Sequence, residues 1–387
     1  VARALYIHWP FCAKKCPYCD FNSHVRETVD IAAWQRALIA DLRAEAAVAA
    51  EADGSERLTS IFFGGGTPSL MPPTLVAALL KEAERLWGFA PDIEITLEAN
   101  PSSVEAASFA ALAGAGINRV SLGVQSLDDA ELRFLGRLHA AEEALRALET
   151  AQGSFARVSF DLIYALPGHT PALWEERLGR ALGFGTGHLS LYQLTIEPGT
   201  RFATDVRRGR MVPLDDDAAA ELFDITQALT RAAGLPAYET SNHARSHDES
   251  RHNLAYWRYQ DYAGIGPGAH GRRGGVATVR HRKPENFLAA VAARGDGIAE
   301  ARAMAPREQA AEALLMGLRL TEGVDLAQLS DRFGLPRAGL VDEAALVRLA
   351  ALGLMWAKGA RIGVAPEGRG LLDALLAEVV ADTLVAA

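Results

Sequence analysis

Through its first two thirds the chain alternates short apolar runs with longer stretches of helical spacing. Val1 to Ile7, with Leu5-Tyr6-Ile7 as its apolar run, reads as a strand entering a loop. Ile31 to Ala50 mixes Ala, Leu and charge at helical spacing, and Pro73 to Trp87 reads as a helix opened by proline. Further strand-like runs are Ser60–Phe63, Ile93–Leu97, Val120–Val124, Val158–Ile163 and Leu189–Leu194. Each ends in a polar or glycine-rich turn: Gly64-Gly65-Gly66-Thr67-Pro68, Glu98-Ala99-Asn100-Pro101, Gln125-Ser126, Leu166-Pro167-Gly168 and Glu197-Pro198-Gly199. Six strand–loop–helix units in series predict an α/β fold with parallel strands and crossover helices. Six are too few for a closed eight-stranded barrel, so a partial, open (β/α)6 TIM-like barrel is expected, with a doubly wound sheet as the alternative. Both place their sites at strand C-terminal ends.

The pattern then changes. Residues 237–283 hold His243, His247, His252, His270, His281 and the turn Gly264–Gly268. From Pro306 helical spacing returns over 307–320, 326–333 and 338–352, followed by a hairpin over 354–364, an arrangement like a winged helix. The expected division is a core domain at 1–236, a linking and barrel-covering segment at 237–304, and a smaller, mainly helical C-terminal domain at 305–387.

Composition narrows the function classes. The chain has 387 residues, 49% of them hydrophobic, enough for a sizeable core. A formal net charge of −9 argues against a general nucleic-acid binder, although Arg332, Arg337 and Arg348 leave a local basic patch in the tail. No apolar run reaches the roughly 20 residues of a transmembrane helix. The start has no signal-peptide layout, and the missing Met suggests that it is trimmed. Three clustered cysteines in a large chain do not form a secreted disulfide framework, so a reducing, cytoplasmic setting is expected.

Those cysteines carry the chemistry. Cys12, Cys16 and Cys19 have the spacing C-x3-C-x2-C, and the chain has no fourth. A short loop of this kind can hold three corners of a 4Fe–4S cluster and leave one iron open. Open metal positions belong to catalytic or ligand-binding sites. The competing reading is structural zinc completed by His8, Asp20 or His24, but the usual second cysteine pair is absent.

With Tyr18 as the aromatic before the third cysteine, the loop resembles the radical S-adenosylmethionine superfamily. Phe63–Pro68 is similar to that family's glycine motif. Tyr6-Ile7-His8-Trp9-Pro10-Phe11-Cys12, Glu98–Pro101, Ser121–Ser126 and Asp161–Gly168 resemble its coproporphyrinogen-oxidase-like branch. Oxidases of that branch carry another cysteine two residues after the third, where this chain has Phe21. The HemW heme-chaperone group has Phe there and an H-N-x-x-Y-W motif, matched by His252–Trp257, and a similar C-terminal helical segment.

The resemblance implies S-adenosylmethionine on the open iron, with Gly65, Gly66 and Thr67 at its methionine end, Tyr6 near the sulfonium, and Gln125 and Arg137 beside the cofactor. Glycine permits close backbone approach. Glu98 and Asp161, at strand ends, can accept from ribose hydroxyls or an ammonium, or serve as plain turn and cap residues. Neutral imidazole suits heme iron, which makes His252 the expected axial ligand, with His243, His247 and His270 as rivals. Tyr256 and Trp257 could stack on a porphyrin or pack as core.

The expected function is that of a heme chaperone holding heme, a 4Fe–4S cluster and S-adenosylmethionine. It would receive electrons from a donor and pass heme to an acceptor protein, with no residue assigned to catalysis. The alternatives are an oxygen-independent coproporphyrinogen III oxidase, disfavoured by Phe21, and nucleic-acid binding by the tail, disfavoured by the acidic balance.

Overall fold

A computed structural model describes residues 4–50, 57–381 and 384. Val1 to Arg3, which the sequence assigns to the entry strand, lie outside them. Six strands follow one another in space as in sequence: Ala4–Trp9, Leu58–Gly65, Phe89–Ala99, Arg119–Gln125, Arg157–Tyr164 and His188–Gln193. All neighbours among them are parallel. Their connections carry the helices Ile31–Ala50, Pro73–Trp87, Ala141–Ser154 and Pro171–Leu182. Leu38, Leu79, Leu148 and Trp174 on these helices bury against Leu5, Ile61, Leu97 and Phe160 of the strands. This is the α/β partial barrel that the alternation of strands and helices predicts.

The strand Tyr262–Ile265 returns to lie parallel beside the first strand, Ala4 opposite Tyr262 and Ile7 opposite Ile265. His270–Arg273, Val276–Arg280 and Ile298–Ala303 continue from it as an antiparallel meander. At the far edge Asn242–Ala244 pairs antiparallel with His188–Gln193. Residues 237–304 thus carry five strands of one eleven-stranded, open sheet.

A buried ionic layer fastens this extension to the barrel. Arg280 pairs with Asp41 and Glu45 of the helix Ile31–Ala50, and Arg273 also reaches Glu45. Asp41 accepts the amides of Gly266 (3.1 Å) and Gly297 (2.9 Å) as well. Such a layer satisfies buried charge only while it stays complete.

The C-terminal segment has its own apolar cluster. The helices Pro306–Gly317, Leu326–Phe333 and Glu343–Ala351 pack on a three-stranded sheet of Val324–Asp325, Met355–Lys358 and Arg361–Val364. Tyr259, from the preceding segment, is buried in that cluster. Arg272 lies 3.4 Å over its ring. The tail arginines are engaged: Arg332 with the Tyr259 carbonyl (3.0 Å), Arg337 with Glu343, and Arg348 with Glu378. Among the described residues no helix is long and apolar enough to cross a membrane.

Candidate cofactor site at the strand ends

Strand register brings the two glycine- and cysteine-bearing loops together. Trp9 pairs with Gly65, so the cysteine loop starts beside the glycine turn. The amide of Gly66 donates to the Trp9 carbonyl (2.7 Å) and that of Thr67 to the Phe11 carbonyl (2.8 Å). A Cβ on Gly66 would lie 2.5 Å from the Phe11 carbonyl oxygen, and one on Gly65, whose φ is +115°, 2.5 Å from the His8 ring. These two positions therefore need glycine for close approach and backbone sign.

The cysteine loop is closed at its base by short parallel pairing of Phe11–Cys12 with His24–Val25. His8 Nε2 donates to the Asn22 carbonyl (2.8 Å) while its Nδ1 accepts from the Tyr6 hydroxyl (3.0 Å). Asn22 in turn donates to the carbonyls of Pro267 and Arg282, each at 2.9 Å. All three cysteines are free thiols at the rim of a cavity of about 450 Å³. Thr67 Oγ1 lies 3.5 Å from the Cys12 sulfur and Arg137 Nη1 3.5 Å from that of Cys16. Burial pushes the Cys12 and Cys19 thiols upward. Among the described residues no three His, Cys, Asp or Glu side chains converge on a single ion position.

The cavity also collects Tyr18 from the cysteine loop, Arg137 from the turn after the helix Asp129–Phe134, and Gly65, Gly66, Thr67, Glu98, Gln125 and Asp161 from the strands and the turns that follow them. Tyr6 and His252 stay outside its lining. Glu98 is pushed up to about 8 by burial and then by Asp161, and accepts the Gly65 amide at 3.3 Å. Burial raises Asp161 to about 6, and it accepts from the Ser121 hydroxyl at 3.1 Å. Gln125 has a left-handed φ of 70°, a conformation costly outside glycine and characteristic of ligand-shaping positions. Arg137 donates to the Gly123 carbonyl (2.9 Å) and to Asn100, whose amide donates to Thr67 (3.1 Å).

Three thiols on one loop, facing a cavity lined by carboxylates, an amide and a guanidinium, fit a cluster with three protein corners and a zwitterionic, sulfonium-bearing ligand. Thiolates can hold iron, and the carboxylates can meet cationic groups. Asn100 was legible as turn chemistry before Pro101 and as part of the Glu98–Pro101 motif, without a role of its own. Its bridging role depends on contacts with residues distant in sequence.

His252 lies elsewhere. It is 1% exposed, and both ring nitrogens are engaged, Nδ1 with Ser60 Oγ (3.2 Å) and Nε2 with the Tyr256 hydroxyl (2.9 Å). No ring nitrogen is free for iron in this arrangement. Tyr256 packs edge-on against Tyr262, and Trp257 lies under Arg319. Of the rivals, His243 is fully buried, and His247 and His270 do not line the cavity.

The chain is similar to known proteins in sequence and in fold. The model of the Radical SAM superfamily matches residues 6–180, and that of the HemN C-terminal domain residues 304–371. The chain is 42% identical over 330 residues to the bovine mitochondrial radical S-adenosyl methionine domain-containing protein 1, covering 83% of this chain and 74% of that one. It is 38% identical to the heme chaperone HemW of Haemophilus influenzae over 347 residues, covering 88% of each. Its fold matches the coproporphyrinogen III oxidase HemN of Escherichia coli with a TM-score of 0.80 at 22% identity, over 97% of this chain and 89% of that one. The chain therefore belongs to the radical S-adenosylmethionine superfamily, in the coproporphyrinogen-oxidase-like branch and within it to the HemW heme-chaperone family.

Proposed function

We propose that this chain holds a 4Fe–4S cluster on Cys12, Cys16 and Cys19, binds S-adenosylmethionine in the adjoining cavity, and carries heme to an acceptor protein in the cytoplasm. The observation that carries the reading is Phe21. It is 62% exposed and lines the cavity at the position where the oxidases have a further cysteine. An apolar ring at the mouth suits a flat apolar ligand.

Bound there, the cluster and its cofactor supply one-electron chemistry at a sulfonium. The chain's own residues bind and orient. Gly65 and Gly66 admit the ligand's amino-acid end close to backbone. Glu98 and Asp161 offer acceptors to its cationic and hydroxyl groups. Arg137 and Thr67 hold the thiol loop against the cavity. Electrons for the cluster would come from a donor outside this chain.

The test is anaerobic reconstitution, followed by a heme titration and a coproporphyrinogen III assay on one sample. The expected result is stoichiometric heme binding with no decarboxylation. Carbon dioxide release from coproporphyrinogen III without heme binding would replace this reading with that of an oxidase.

A further inference from the structure

The chain has ten histidines, and His139 is the one that lines the cluster cavity. It follows Arg137 by two residues, and Arg137 touches the Cys16 sulfur, so the imidazole stands on the same turn that braces the thiol loop. His139 Nε2 lies 3.1 Å from the Val124 carbonyl. A carbonyl only accepts, so the proton sits on Nε2 and the lone pair on Nδ1. The side chain is largely buried, the residue being 6% exposed, and among the described residues its Nδ1 takes no hydrogen bond. A ring nitrogen held by a backbone carbonyl, with the other left free, is the usual arrangement of a metal-binding histidine. Burial, then the charge of Arg137, lowers this imidazole to about 4, which keeps the lone pair available at neutral pH.

Its surroundings match a macrocycle. Leu138 is 71% exposed, Val104 77% and Leu70 41%, and all three line the same cavity together with Phe21. Exposed apolar side chains gathered at one mouth mark a binding surface rather than scattered surface residues. Lys14 and Lys15 line the same cavity and make no ion pair among the described residues. An apolar ring flanked by cations suits a flat ligand carrying carboxylates.

We propose that His139 is the axial ligand through which this chain holds heme, at the mouth of the cluster cavity. The macrocycle lies over Phe21, Leu70, Val104 and Leu138, with its carboxylates toward Lys14 and Lys15. This rests on the heme-carrying reading above and locates its site. A ligand held at an open mouth can pass to a docked acceptor. One held at His252 would first need the helix Arg251–Trp257 to leave the sheet.

The experiment is a heme titration of the reconstituted full chain, read by the Soret band against the same protein without heme. Iron content confirms the cluster in every variant. His139→Ala and His139→Asn are expected to weaken binding at least tenfold and shift the band, and added imidazole to restore the wild-type spectrum. His139→Cys is expected to give the band of a thiolate-ligated heme, a new signature that misfolding would not produce. A wild-type band and affinity in His139→Asn, no thiolate band in His139→Cys, or failure of imidazole to restore the spectrum overturns the ligand assignment. Wild-type protein that binds no heme overturns the heme-carrying reading itself, whatever the variants do.

Discussion

The two ends of the barrel are built on opposite terms. At the strand C-terminal end, carboxylates, an amide and thiols face open space, and Gln125 is held in a left-handed conformation. At the N-terminal end most polar groups answer one another; the exception is the buried His243, neither of whose ring nitrogens has a hydrogen-bond partner among the described residues. Glu94 pairs with Arg157 at 2.6 Å and accepts the amide of His252 at 3.3 Å. His188 lies between Ser159 (2.7 Å) and the Tyr238 hydroxyl (3.0 Å), and His252 between Ser60 and Tyr256. Groups left unanswered belong where a ligand completes them, and groups paired inside the protein belong where the fold is fastened. Mutations at the two ends should therefore fail in different measurements.

The largest effect is expected at the open end. Cys16→Ser removes one corner of the cluster, and iron and sulfide analysis after reconstitution should show its loss, while the denaturation midpoint of the unreconstituted protein barely moves. Retention of a full cluster would break the assignment of three corners to these thiols. At the closed end Glu94→Ala should behave inversely. It leaves Arg119 and Arg157 without their shared carboxylate at a buried position. Loss of one partner from such a pair costs about 3 kcal/mol or more. Chemical denaturation should report that cost, and cluster content should stay at the wild-type level. A stability change below about 1 kcal/mol would show that the closed end is not fastened by this network.

The same contrast explains what the sequence discloses. The six strands were legible because each is an apolar run ended by a turn, and Pro73–Trp87 because proline opens it and Gly88, at φ 67°, closes it. The helix expected over 338–352 is shorter, Glu343–Ala351, because Asp342 caps it by accepting the Ala345 amide and Arg337–Gly339 forms a separate turn. The thiols were legible because their spacing is local. His139 was not, since its value comes from the Val124 carbonyl and from Val104 and Leu70, which line the same cavity. The motif at His252 was visible, but a motif does not state whether its imidazole faces a cavity or a hydroxyl on either side.

His252→Ala separates those possibilities at a smaller scale. Removing the ring leaves Ser60 and Tyr256 without their partner inside the protein. Two unsatisfied hydroxyls at a buried site cost about 2 kcal/mol together. The expected outcome is that loss in the denaturation midpoint, with the heme spectrum unchanged. A shifted Soret band at full stability would move the heme site to the closed end and erase the distinction drawn between the two.

The smallest effect concerns proton linkage at the open end. Burial, and then Asp161, hold Glu98 at about 8, above its ordinary value of about 4.3. The folded state therefore keeps a proton that the unfolded chain has already released over that interval. Its contribution to stability is fully present below about pH 4 and is lost as pH rises through 8. A cationic ligand favours the ionised carboxylate, so S-adenosylmethionine should release a proton on binding and bind about tenfold more tightly at pH 9 than at pH 7. Calorimetry in two buffers of different ionisation enthalpy measures the released proton. Glu98→Gln removes the titrating group and should flatten the dependence. A wild-type slope between pH 7 and 9 in that variant would show that Glu98 is not the linked group, whereas a tightening found below neutral pH would assign the linkage to Asp161, which titrates at about 6.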